Sequence, residues 1–169
     1  MNHEFENYLG EKYLFMNKES LLKLCPESTY GKYGLEIDKG WYPVLEKACQ
    51  RISEVMEKYS IPQESFIVLQ CKQKFGALKF YWRLSADSFS GNVDFPDKGS
   101  VDFKDYTSQL RNDIDLIIKG ACEEALITCE FCGKSDKSVE LRQYRWIYTH
   151  CDDCHQKRVQ KIEERIKNK

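Results

Sequence analysis

Histidine is scarce in this 169-residue chain: there are three, one at position 3 and two, His150 and His155, beside cysteines. That scarcity argues against a histidine acting as general acid or base. The chain has no Gly-rich phosphate loop, no nucleophile elbow and no His-containing metalloprotease helix, and it carries neither an internal repeat nor a low-complexity tract. No apolar run approaches the ~20 residues that span a bilayer. Nor does one sign of charge dominate, with 26 Lys and Arg against 27 Asp and Glu. A dedicated high-affinity nucleic-acid binder usually shows a basic excess, so anion binding would have to come from local patches. The opening Met-Asn-His-Glu-Phe-Glu-Asn lacks the charged-then-apolar pattern of a secretory leader. The expected location is a reducing cytoplasm.

What the chain does have is apolar and aromatic content enough for a sizeable core, and eight cysteines. In a reducing compartment clustered cysteines point to a metal rather than to disulfides. Cys25, Cys49, Cys71 and Cys122 stand singly and read as small core residues. The other four form two pairs, Cys129-Glu-Phe-Cys132-Gly and Cys151-Asp-Asp-Cys154, in a C-x2-C-x18-C-x2-C array. Two intervening residues let both sulfurs of a pair converge on one ion, and the glycine lets backbone amides turn toward them. We read Cys129, Cys132, Cys151 and Cys154 as the ligands of a structural Zn2+. His150 and His155 adjoin the second pair and compete as ligands; Cys154 keeps the two-residue spacing and a soft donor. Four protein ligands leave no open coordination position, so no catalysis is expected at the ion.

Periodicity places the remaining elements. Phe5, Tyr8, Leu9 and Met16 predict a helix over about 3–16. Residues 26–40, dense in glycine and polar residues, read as a loop with at most a short strand. The stripe Trp41, Leu45, Ala48, Cys49, Ile52, Val55, Met56 and Tyr59 predicts a long helix that ends at Ile61-Pro62. Residues 65–84 predict a hairpin turning at Phe75-Gly76. The polar 85–104 segment reads as a long functional loop. Tyr106, Leu110, Ile114, Ile117, Ala121 and Ala125 predict a second long helix. Val139, Leu141 and 146–148 predict a short hairpin between the cysteine pairs, and Val159, Ile162 and Ile166 a terminal helix. The expected fold is α+β: two long helices packed on a small antiparallel sheet over 1–127, then a treble-clef-like zinc finger with a terminal helix over 128–169.

Several segments together carry a resemblance: Gly34-x-Glu36, Gly40-Trp41, Gln70-x-Lys72-x-Lys74-Phe75-Gly76-x-Leu78-Lys79-Phe80-Tyr81, the first cysteine pair, and Trp146-Ile147-x-Thr149-x-Cys151-Asp152. Over about residues 34–154 the chain resembles a family of small phage and bacterial proteins with the approximate signature GFECGDGW, QVKEKFGGLRFY, TCEVCG and W-I-x-T-L-C-D-E-H. That family has no established activity, so the resemblance implies a setting, a host cytoplasm, and no mechanism. Gln73 stands where the family has glutamate between two lysines, which weakens an acid–base role there. Lys39 replaces the acidic residue before Gly-Trp. Cys154 stands where the family often has histidine, an exchange that preserves zinc coordination.

The hairpin interleaves Lys72, Lys74, Lys79 and Arg83 with Tyr81 and other aromatics. Alternate strand residues share a face, so it can act as a platform where cations meet phosphates and an aromatic stacks on a base. The opposing reading is a half-buried hairpin whose lysines keep an edge soluble. Trp41 is a candidate ligand anchor, although the helix stripe starting from it favours a core position. Glu36 and Asp38 alternate along one segment and form a candidate acidic pair. The terminal helix from Gln156 onward has six Lys or Arg against two Glu, either a nucleic-acid contact or solvated surface. Three functions follow. The first is a non-enzymatic, phage-type binding protein whose Lys72, Lys74, Lys79, Tyr81, Arg83, Glu36 and Trp41 hold an anionic ligand, nucleotide or nucleic acid, one version being sequestration of a host signalling nucleotide. The second is an adaptor or inhibitor that docks on a host protein. The third is a nucleotide-processing enzyme using carboxylates from 36–38 and 87–105.

Overall fold

A computed structural model describes residues 3–85 and 103–168. The chain opens with α1 (His3–Lys12), α2 (Lys18–Leu24) and α3 (Thr29–Tyr33), followed by the longer α4 (Tyr42–Lys58). The hairpin β1 (Phe66–Lys74) and β2 (Ala77–Leu84) comes next, then α5 (Phe103–Leu126), the hairpin β3 (Glu140–Tyr144) and β4 (Trp146–His150), and α6 (Asp152–Lys167). Both sheets are two-stranded and antiparallel. The fold is therefore mixed helix and sheet. No helix of the described residues is long and apolar enough to cross a membrane.

The core follows from the two strongest apolar stripes. On α4, Val44, Leu45, Ala48, Cys49, Ile52 and Met56 are buried; on α5, Leu110, Ile114, Ile117, Ala121 and Ala125 are. The helices pack against each other and are pinned at two levels along their lengths. Lys47 pairs with Glu124, and Lys58 and Tyr59 both donate to Asp113. The first hairpin packs on α5, with the Trp82 indole donating to Asp115 at 3.2 Å. Burying this pair of stripes and the face of the hairpin on α5 supplies the main driving force, at about 25 cal/mol per Å2 of apolar surface.

The amino-terminal region differs from expectation. The first helix stops at Lys12 and a single 3-10 turn over Leu14–Met16 follows. Leu9, Tyr13, Phe15 and Met16 are all buried. One straight helix stripe accommodates positions 9, 13 and 16 but not 15, so the chain must break there. Asn17 then caps α2 by accepting from Ser20 N. The 26–40 segment is more ordered than its composition predicts. Ser28 caps α3 by accepting from Gly31 N, and Gly34, at φ +77°, ends it. Beyond it, Glu36 adds to the sheet in parallel beside Lys72, with Glu36 N donating to Cys71 O and Gln73 N to Glu36 O. Most of the 85–104 segment expected to form a functional loop lies outside the described residues.

Candidate metal centre and the junction it braces

The first cysteine pair sits in a tight turn: Cys129 N donates to Lys134 O at 2.8 Å and Gly133 N to Cys129 O at 2.9 Å. Gly133 takes φ +80°. The second pair opens α6, with Cys151 at its N-cap and Cys154 in its first turn. The four sulfurs lie within 4.8 Å of one another, and those of Cys132 and Cys151 are 3.7 Å apart. Tetrahedral coordination with bonds of about 2.3 Å requires sulfurs about 3.8 Å apart, so the donor set and its spacing fit a single metal ion. Burial, then the neighbouring sulfurs of Cys132 and Cys151, push the Cys154 thiol well above its ordinary value. A divalent cation beside the Cys154 sulfur would reverse that penalty. The amino end of α6 adds a favourable dipole. Neither histidine joins the set. His150 is buried with Nε2 3.5 Å from Glu130 Oε1, and His155 Nδ1 lies 3.2 Å from Tyr148 Oη.

The cysteine-rich segment is docked on the rest of the chain by close backbone approach. Gly40 N donates to Glu130 O at 2.9 Å, and the buried Trp41 indole donates to Thr128 O at 2.8 Å. A Cβ at Gly40 would overlap Cys129 O and lie 2.6 Å from both Glu130 O and Gly133 N. On the other side, Phe75 and Gly76 turn the first hairpin, both at positive φ (54° and 75°), the geometry of a type I′ turn. Thr149 Oγ1 donates to Gly76 O, Gln73 Nε2 donates to Ile147 O at 2.7 Å, and a Cβ at Gly76 would run into the Leu141 side chain. Four of the segments singled out by sequence, around Gly40, Gly76, Cys129 and Thr149, thus meet at one junction.

The proposed ligand residues divide. Cross-strand register pairs Gln70 with Tyr81, Lys72 with Lys79 and Lys74 with Ala77, so Lys72, Lys74, Lys79 and Tyr81 share a face. Lys72 Nζ lies 5.9 Å from the Tyr81 ring centroid. Glu36, bridged to Lys72, accepts from Gln70 Nε2 at 2.7 Å. Arg83 is turned aside, paired with Glu27 at 3.2 Å and close to Cys25. Trp41 has no surface open to a ligand: it is fully buried, filling the core position that its helix stripe favours.

Sequence reasoning singled out Glu36 and Asp38 but missed the group they join beside the cysteine cluster. Glu36, Asp38, Gln73, Glu130, Trp146 and Arg158 line a cavity of about 300 Å3. Glu130 had no signal beyond lying between two ligands, and Arg158 is one of many helix cations. Comparisons with protein-family models, with curated proteins and with solved structures gave no match for this chain.

Proposed function

We propose that this chain is a zinc-containing binding protein in which the metal is structural and the first hairpin presents an anion-binding face. The coordination argument is chemical. Four thiolates at tetrahedral spacing suit zinc or iron, and a closed four-cysteine shell with three buried sulfurs suits a metal that folds the chain. A knuckle, a hairpin and a second pair opening a helix make a treble-clef-like finger. Purified protein should carry one zinc per chain and remain colourless; the red absorption of an iron tetrathiolate would reverse the assignment.

The observation that carries the binding role is the common face of Lys72, Lys74, Lys79 and Tyr81. Three lysines on the same face as an aromatic ring offer partners for the two things a nucleotide or a single strand presents, phosphate charge and a stacking base. Glu36 borders this face and restrains it, since a carboxylate there repels phosphate. Fluorescence anisotropy with a labelled single-stranded oligonucleotide tests the role. Binding should weaken steeply as salt rises and fall in Lys72→Ala, Lys74→Ala protein. Affinity indifferent to both would end the proposal. A bound nucleotide would also appear in the mass spectrum of denatured purified protein. A second reading, docking on a protein partner, draws on the exposed Phe75, Phe131, Leu141 and Trp146. A stable partner in pull-down, lost in Phe131→Ser and Trp146→Ser but kept in the lysine variant, would favour it.

A further inference from the structure

The outward face of the first hairpin is laid out in rows. Cys71 and Leu78 turn into the core, which leaves Gln70, Lys72 and Lys74 of β1 and Ala77, Lys79 and Tyr81 of β2 on the other side. Register sets Tyr81 opposite Gln70, Lys79 opposite Lys72 and Ala77 opposite Lys74. Reading toward the turn, the row with an aromatic is followed by a row of two lysines and a row with one, and Phe75 then begins the turn itself. Lys72 Nζ lies 5.9 Å from the Tyr81 ring centroid, and Lys74 Nζ lies 5.7 Å from that of Phe75. Both rings are exposed.

Phe75 is an unusual residue for its position. It takes φ +54° as the first residue of the turn, where a type I′ turn favours asparagine, aspartate or glycine. A left-handed backbone is costly for a bulky side chain. Burial does not offset that cost, because Phe75 is 59% exposed. The turn is anchored to the second hairpin through Gly76, whose carbonyl accepts from Thr149 Oγ1. An exposed aromatic held in a strained conformation beside an ammonium is a feature that a ligand can use and that the turn does not require.

Distance decides what kind of ligand. Gln70 and Lys74 are four residues apart on β1, so the row of Tyr81 and the row before the turn are separated by about 13 Å. One base cannot stack on both rings across that gap. Two bases of one strand can, with the phosphates between them over Lys72, Lys79 and Lys74. We propose that this face binds a single strand of nucleic acid and not a lone nucleotide, with Tyr81 and Phe75 as stacking platforms at the two ends of the lysine rows. The inference rests on the anion-binding reading of the hairpin and deepens it by naming the polymer and adding Phe75. Glu36, bridged to Lys72, places a negative charge on the β1 side, so the phosphates run on the β2 side. Single strands of DNA and RNA share this chemistry, and the test distinguishes them.

The zinc-loaded full chain is titrated into labelled thymidylate probes of one, two, four and eight nucleotides, and into a uridylate octamer, with anisotropy as the readout. Affinity should rise about tenfold or more from the mononucleotide to the tetranucleotide, and the tighter of the two octamers assigns DNA or RNA. Tyr81→Ala and Phe75→Asn should each weaken tetranucleotide binding roughly tenfold, the worth of one stacked base, and shrink the gain over the mononucleotide. Phe75→Asn should also melt at or above wild type, since asparagine suits the left-handed turn position; its lost affinity is then not lost fold. Glu36→Gln should tighten strand binding severalfold by removing a repelling charge. A mononucleotide that binds as tightly as the tetranucleotide would overturn the strand and leave the anion face standing. Full tetranucleotide affinity in Phe75→Asn protein, or a Phe75→Asn protein that melts well below wild type, would overturn the second platform and the proposal with it. No binding of any probe would overturn both this inference and the reading beneath it.

Discussion

Gly40 is the point at which the junction is most easily broken by a single methyl group. Its φ is not in the left-handed region, so alanine meets no backbone penalty of its own. The obstacle is the neighbour: a Cβ would overlap Cys129 O and approach Glu130 O and Gly133 N at 2.6 Å. All three are backbone atoms of the metal knuckle, which cannot rotate away as a side chain can. Either the knuckle or the 38–41 segment must shift, and the Gly40 N to Glu130 O bond lengthens in consequence. Overpacking of this kind costs about 1–3 kcal/mol and the lost hydrogen bond about 1 more. Gly40→Ala should therefore destabilise zinc-loaded protein by about 2–4 kcal/mol, or about 5–15 °C in Tm. Because Cys129 belongs to the converging cysteine set, zinc affinity measured against a competing chelator should fall too. Gly120→Ala is the control. That glycine lies in α5 with nothing near its absent Cβ, so alanine should stabilise the protein by about 0.5–1 kcal/mol. A Gly40→Ala protein that melts with wild type and holds zinc as tightly would refute the close-packed junction.

Thr149→Val keeps the shape but leaves the Gly76 carbonyl buried without its donor; urea unfolding should show a loss of about 1–3 kcal/mol. Native mass spectrometry should find one zinc per chain in wild type and in Cys122→Ser, and substoichiometric zinc in Cys132→Ser, since only the latter position belongs to the converging set. Chelation should open residues 128–168 to limited proteolysis; a chelated protein as resistant as the loaded form would show that the metal does not hold the finger. Asp113 is held below its ordinary value by hydrogen bonds from Lys58 and then Tyr59. A depressed carboxylate stabilises the fold above its unfolded pKa of about 4 and loses that contribution as pH falls through the folded value. The gap between wild type and Asp113→Asn, small for so exposed a pair, should thus be full at neutral pH and close in acid. Comparing the two proteins at each pH cancels the separate acid release of zinc.

What could be read from sequence was whatever depends on spacing within one segment. The cysteine array announced itself because two residues between sulfurs is a local constraint, and the Phe75-Gly76 turn because two apolar strand runs flank it. The stripe on α4 was legible for the same reason. The short α3 was not, although Ser28 and Gly34 mark its two ends, because glycine-rich composition masked a cap-and-stop pair only six residues apart. The break after Lys12 was hidden because Leu9, Tyr13 and Met16 satisfy one helix on their own. Glu130 and Arg158 were invisible for a deeper reason. Their meeting depends on how the cysteine-rich segment docks, and no periodicity encodes that.

The docking gives the metal a reach beyond its own four ligands. Glu130 is fixed because it lies between Cys129 and Cys132, and its carbonyl accepts from Gly40 N. Asp38 immediately precedes the turn that holds Gly40, Trp146 begins the strand leading to Cys151, and Gln73 is tied to that same strand through Ile147 O. The cavity wall is thus assembled from pieces joined directly or through one hydrogen bond to the cysteine-rich segment. Partial loss of zinc should then perturb the fluorescence of Trp146, which sits at the junction, before it weakens oligonucleotide binding at the lysine face, which sits on β1 and β2 and has the α4–α5 core behind it. Titrating a chelator while following both signals in one sample would show the order, and loss of the lysine-face binding first would contradict this account.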